Sequence, residues 1–186
     1  MSTDRNKPVD TNEFWKERIN NARRDGDIRR SVFTTPEPEW QKICYDHRKI
    51  LEAVCVQNKI QSVLDAGCGY GRGIDLMPYG FQGRYVGVDQ SEDFIEIAKS
   101  RYPDGEYYCE NLKNLPFDDN EFDISICTSV MIMIVQNMGW FEWEKIQNEL
   151  LRVSKQGILC LEYGKTDTQT ESTTYYFISD TNIQGN

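Results

Sequence analysis

"VLDAGCGYGRG", Val63 to Gly73, is the stretch on which the reading of this chain turns. A short apolar run ends at Asp65 and passes at once into glycines at positions 67, 69, 71 and 73. Closely spaced glycines after a strand let the backbone turn sharply into a helix and approach a ligand closely. The spacing is not that of the nicotinamide fingerprint G-x-G-x-x-G. Counted from Gly67, its third glycine would fall where Arg72 stands; counted from Gly69, it would fall at Ile74. Asp65 beside the turn disfavours a pyrophosphate and attracts a cation.

Outward from that stretch, strand-like and helix-like segments alternate. "SVLDA", "RYVGVD", "EYYC", "FDISICT" and "GILCLEY" read as strands, separated by helix-like segments after Gly73, from Ser91 to Arg101 and from Trp140 to Ser154. Alternation of this kind implies βαβ units around a parallel sheet whose ligands bind at the carboxyl ends of the strands. A final run, "TTYYFIS", can return antiparallel beside the fifth strand. The expected fold is therefore α/β, a single Rossmann-like doubly wound sheet of about six strands. Upstream, 12–24 reads as a helix carrying Phe14, Trp15 and Ile19. "TTPEPEWQKICYDHRKILEAVCVQ" reads as a second helix, with Thr35 as N-cap, Pro36 opening it, and an apolar stripe through Trp40, Ile43, Leu51 and Val54. Residues 1–58 are expected to form a helical lid region and 59–186 the ligand-binding core, together one domain.

Composition narrows the partners. The 186 residues carry a formal net charge of -9, a field that repels nucleic acid and anionic membrane surfaces. No run of about 18 apolar residues is present and the first residues lack a signal-peptide pattern, so a cytoplasmic protein is expected. The six cysteines form no C-x-x-C pair and there is one histidine, which leaves no plausible metal constellation and fits reduced thiols.

A ligand that suits glycines without phosphate and a neighbouring carboxylate is a cationic adenosine. S-adenosylmethionine (SAM) is such a molecule, with an ammonium, a sulfonium and no phosphate. Asp89 ends the second strand 22 residues after Gly67, where a carboxylate can accept from both ribose hydroxyls. With these residues in place, 62–163 resembles the core of class I SAM-dependent methyltransferases, of the small-molecule type 11 kind. "VLDAGCGYGRG" is similar to the family's first motif and "YVGVDQSEDFIEIAK" to its second. "NLPFDDNEFDISICTSVMI" is similar to the stretch before and through strand four, and "ELLRVSKQGILCLE" to the helix and fifth strand. The resemblance implies SAM as cofactor and S-adenosylhomocysteine as product. It places Asp65 near the methionine ammonium, and Ala66, Gly67, Cys68, Gly69 and Gly71 beneath methionine and ribose. Asp89 would take the ribose, Gln90 and Phe94 would surround the adenine, Asn111 and Leu112 would meet its edge, and Cys127 in strand four would be a further cofactor contact.

The sequence also departs from the family pattern. Asn111 stands where many relatives have an acid, Ile132 and Met133 replace histidines that follow strand four, and only 23 residues follow Tyr163, so the sheet is shortened. An uncovered edge favours a homo-oligomer or a partner. Base candidates for an acceptor that must lose a proton are His47, which falls on an apolar helix stripe and also reads as packed core, and Glu162 at the end of strand five. Acceptor-pocket candidates are the aromatics Phe14, Trp15 and Tyr45 as a lid and Trp140 and Phe141 after strand four. The cluster Arg23, Arg24, Arg29 and Arg30 reads first as a solvated, ion-paired face, with recognition of an anionic acceptor as the alternative. The expected function is methyl transfer to a small-molecule or glycan-precursor acceptor; a non-catalytic SAM-binding subunit is the alternative.

Overall fold

The computed structural model describes residues 11–32, 37–165 and 171–179. Six strands form one sheet in the order β3-β2-β1-β4-β5-β6: β1 Ser62–Ala66, β2 Arg84–Asp89, β3 Glu106–Cys109, β4 Ile124–Thr128, β5 Ile158–Lys165 and β6 Glu171–Ile178. The first five are parallel; β6 returns antiparallel to β5, with Leu159 opposite Phe177. Thus the first three strands have the bounds expected from sequence, and β6 takes the expected antiparallel place.

The central strands are mostly apolar because both faces of the sheet are covered, with Asp65, Ser125 and Glu162 as buried exceptions. Alternate residues serve opposite layers. Val63, Ile126 and Leu159 pack with Leu51 and Cys55 of α2 (Glu37–Gln57) and with Ile95 of α4 (Glu92–Arg101). Leu64, Cys127 and Cys160 pack with Trp143, Ile146 and Leu150 of α6 (Trp140–Val153). A third, smaller cluster docks α1 (Thr11–Asp25) onto the sheet domain: Ile19 meets Tyr70 and Phe94, with Trp15 beside them. Capping places α4, whose Ser91 hydroxyl accepts from the Phe94 N–H. The expected caps of α2, Thr35 and Pro36, lie outside the described residues.

A 3-10 turn (Ile28–Ser31) between α1 and α2 and two short α-helices complete the order, α3 (Gly73–Leu76) after the glycine turn and α5 (Met131–Met138) after β4. Sequence reading did not anticipate α5. No described helix is long and apolar enough to cross a membrane. On β6, the edge strand, Tyr175, Tyr176 and Phe177 are exposed.

Candidate functional site

A cavity of about 610 Å³ opens at the carboxyl ends of β1, β2 and β4, the crevice that the strand order predicts. Its floor is the glycine turn. The Gly67 and Cys68 N–H groups both donate to the Val88 carbonyl, at 2.8 and 3.0 Å, tying the end of β1 to β2. Gly67 has φ +75°, and a Cβ there would come within 2.5 Å of Val130, so only glycine lets the wall after β4 close on the turn. Gly73 serves Asp65 in the same way, since a Cβ would stand 2.0 Å from its Oδ2.

Asp65 is buried at the cavity wall. Its Oδ2 accepts from the Tyr85 hydroxyl, while Oδ1 has no partner. Burial pushes its pKa up to about 6, opposed by the Tyr85 hydrogen bond and the nearby Arg72 charge. A buried carboxylate with one orphan oxygen is a seat for a cation. Asp89, half-buried at the end of β2, accepts from the Gly69 N–H at 3.0 Å and the Ser91 N–H at 2.9 Å. Burial raises its pKa and these backbone hydrogen bonds hold it back. With Gln90 as a third backbone donor, the carboxylate's roughly four lone-pair sites still leave capacity for a ligand hydroxyl.

Of the residues singled out from sequence, Asp65, Gly67, Cys68, Gly69, Asp89, Gln90, Phe94, Asn111, Leu112, Phe14 and Trp15 meet in this cavity. Trp15 leans on Phe94 with ring centroids 5.8 Å apart, so α1 does bring its aromatics to the mouth. The Asn111 side-chain oxygen accepts from the Lys113 N–H at 3.0 Å, a local turn that engages one of its lone pairs.

The other expected residues lie elsewhere, each for a physical reason. Ala66 and Cys127 face the sheet interior, where Cys127 stands in register with Cys160. Gly71 lies against Tyr102 and Ala98 rather than the cavity. Tyr45 is 62 % exposed, because α2 packs along the sheet face instead of over the cavity. Trp140 and Phe141 are exposed at the start of α6: helical side chains tilt toward the N-terminus, and there they project past the packed stripe into solvent.

The two base candidates are also displaced. His47 is buried on α2 outside the cavity lining, with neither ring nitrogen partnered. Burial, helped by the charge of Arg72, lowers its pKa to about 3 and keeps it neutral. Glu162 is buried beneath α5, where its Oε1 accepts from the Met131 N–H at 3.2 Å and its Oε2 has no partner. Burial pushes its pKa up to about 7 against backbone hydrogen bonds from Ile132 and Met131. The arginine cluster is spent on its neighbours: Arg23 on Asp93, Arg29 on Asp27 and Glu37, Arg30 on Asp25, and Arg24 on Asn21. None of the four lines this cavity.

Sequence reading missed Arg72, Val130 and the whole of α5, which supplies Ile132, Met133, Ile134 and Met138 to the cavity. It also missed Thr128 and Ser129 at the end of β4, whose hydroxyl oxygens are buried without partners. Arg72 was legible as the one charge inside the glycine run; α5 carried no periodic signal.

The fold and this strand-end cavity are those of a class I methyltransferase domain. Residues 64–161, 98 of the 186, match the family model described as "Methyltransferase domain", and the chain belongs to that family. A demethylmenaquinone methyltransferase of Paenarthrobacter aurescens is 35% identical over 98 residues, 52% of this chain and 36% of that protein. A protein of Mycobacterium tuberculosis named "Probable S-adenosylmethionine-dependent methyltransferase" is 31% identical over 80 residues, 43% of this chain and 29% of that one. The chain thus matches about a third of the length of these curated relatives. Among solved structures, the PH0226 protein of Pyrococcus horikoshii aligns with a TM-score of 0.54 at 25% identity, over 73% of this chain and 58% of its own.

Proposed function

We propose that the protein is a SAM-dependent methyltransferase acting on a small-molecule acceptor in the cytoplasm. The observation that carries this reading is Asp65: a buried carboxylate with an orphan oxygen, set against a glycine turn whose Gly67 and Gly73 leave no room for a Cβ. These residues fit the cofactor. Asp65 would pair with the methionine ammonium, and Asp89 would accept the ribose hydroxyls. Phe94, Gln90, Asn111 and Leu112 would surround the adenine.

Bound there, SAM supplies a methyl group on a sulfonium, an already activated leaving group. The chain's own task is then to hold the acceptor in line and keep water out, which can supply most of the acceleration. Phe14 and Trp15 add aromatic faces to the cavity for that purpose. No base is required of His47 or Glu162, neither of which lines the cavity. The cavity has polar and apolar walls beyond the glycine turn, room that a subunit binding cofactor alone would not need. Net charge argues against nucleic acid as acceptor. The exposed aromatics on β6 support a homo-oligomer formed along that edge.

Calorimetric titration with SAM and S-adenosylhomocysteine, with Asp89→Ala beside the wild type, tests the reading. Saturable binding to the wild type that the variant loses is expected. Absence of binding to the wild type, or undiminished binding to the variant, overturns it.

A further inference from the structure

The α5 helix has the sequence MIMIVQNM, with six apolar residues, two amides and no charge. None of its side chains is buried, yet Met131 to Val135 are only partly exposed. Met131, Ile134 and Val135 rest in part on the core, and the apolar surface that α5 leaves over is made for something that is not water. Ile132, Met133, Ile134 and Met138 turn that surface into a cavity wall. Methionine, unbranched and polarisable, adapts to the shape of what it meets.

Charge in the cavity is distributed elsewhere. Among the described residues, the charged side chains lining it are Asp65, Arg72, Asp89, Lys113 and Glu142. The first three gather at the glycine turn, where the cofactor is proposed to bind. Lys113 and Glu142 pair with each other at 2.9 Å. Gln136 and Asn137 of α5 and Tyr163 also line the cavity, but the buried polar atoms left unpartnered beside the apolar wall are the hydroxyls at the end of β4, Thr128 Oγ1 and Ser129 Oγ. Ser129 takes φ +60°, a strained conformation for a non-glycine residue, and strain of this kind persists where a site requires it. A hydroxyl can donate or accept, so this pair suits a neutral hydroxyl or carbonyl and gives an anion no countercharge.

We propose that the methyl acceptor is a neutral, lipophilic molecule whose apolar body lies along α5 and whose single hydroxyl or carbonyl is held by Thr128 and Ser129. This rests on the methyltransferase reading above and narrows its acceptor class, against the anionic acceptor that the arginine cluster suggested.

The test uses protein saturated with S-adenosylhomocysteine, titrated in parallel with 2-naphthol and with 2-naphthyl phosphate. The two probes share a ring and differ in the charge of the polar group. Saturable binding of 2-naphthol, tighter than that of the phosphate, is expected. Met133→Asp puts a charge on the wall in the first turn of α5, where the helix tolerates an acid. It should weaken 2-naphthol about tenfold or more, and Thr128→Val should weaken it about tenfold. Thermal melting and S-adenosylhomocysteine affinity report whether each variant is folded. Phosphate binding as tight as or tighter than 2-naphthol, or no 2-naphthol binding to cofactor-loaded protein, overturns the acceptor proposal alone. Failure of S-adenosylhomocysteine to bind the wild type overturns the methyltransferase reading, and this proposal with it.

Discussion

Glu162→Gln isolates the energetic consequence of burying a carboxylate beneath α5. The amide keeps an oxygen to accept from the Met131 N–H but cannot ionise. In the folded protein burial raises the Glu162 pKa from 4.5 to about 7. A group whose folded pKa is raised contributes stability that is complete below the unfolded value and is lost as pH climbs through the folded one. The gap between the two values corresponds to about 3 kcal/mol at saturation, of which about 2.5 kcal/mol falls between pH 5 and pH 8. The wild type should therefore lose about that much stability relative to the glutamine variant over this interval.

The assay is urea denaturation of both proteins at pH 5, 6, 7 and 8, comparing differences in unfolding free energy. Asp65, whose pKa burial also raises, drifts in the same direction but is common to both proteins and cancels. A stability difference constant across the pH range would refute the reasoning, because it would mean that Glu162 ionises in the fold as easily as in the unfolded chain. A difference of opposite slope would mean that a positive charge compensates it.

Three further outcomes follow from the same geometry. His47 has the opposite sign: its folded pKa is lowered from 6.5 to about 3, so its contribution is present above 6.5 and fades as pH falls. Against His47→Leu, the wild type should lose about 2 kcal/mol more between pH 7 and pH 5 in the same denaturation experiment; parallel curves would show that the ring is hydrated. Tyr85→Phe removes the hydrogen bond that steadies the Asp65 carboxylate, so SAM affinity at neutral pH should fall about tenfold and proton uptake on binding should change, measured by calorimetry in buffers of different ionisation enthalpy. Trp140→Ala and Phe141→Ala, at exposed positions outside the cavity, should leave cofactor affinity unchanged and shift stability by no more than about 0.5 kcal/mol.

The fold was legible because its strands announce themselves. Parallel strands buried on both faces read as mostly apolar runs, and those of β1 and β2 are bounded by Gly, Asp and Ser residues that do not continue them. The cofactor side of the cavity was equally legible, since Asp65, the glycines and Asp89 sit at strand ends that the topology itself brings together. Periodicity said less about partners than about faces. The α2 stripe marks Trp40, Ile43, His47 and Leu51 as inward, but nothing in it says that the surface they meet is the sheet and not the cavity mouth. Tyr45 was misplaced for that reason. The α5 helix was invisible because six apolar residues in eight leave no polar face to set a period of 3.6.

That blind spot falls on the side of the cavity where the acceptor is proposed to bind. A helix with a wholly packed apolar face shows the stripe that reveals it, whereas α5 spends one side on the core beside Val130 and offers the rest to the cavity. Glu162 makes the arrangement possible. Val130 caps α5 without a side-chain hydrogen bond and no acid stands in its first turn, so the exposed N–H groups there are met from beneath by a carboxylate of β5. Read from sequence, a glutamate at the end of strand five is a candidate base. Set in the fold, it reaches the backbone of α5 and does not line the cavity. The residue that sequence offered as a base candidate is thus placed to hold the α5 backbone, and under the proposed acceptor site the chemistry would be left to the orientation that α5, Thr128 and Ser129 impose.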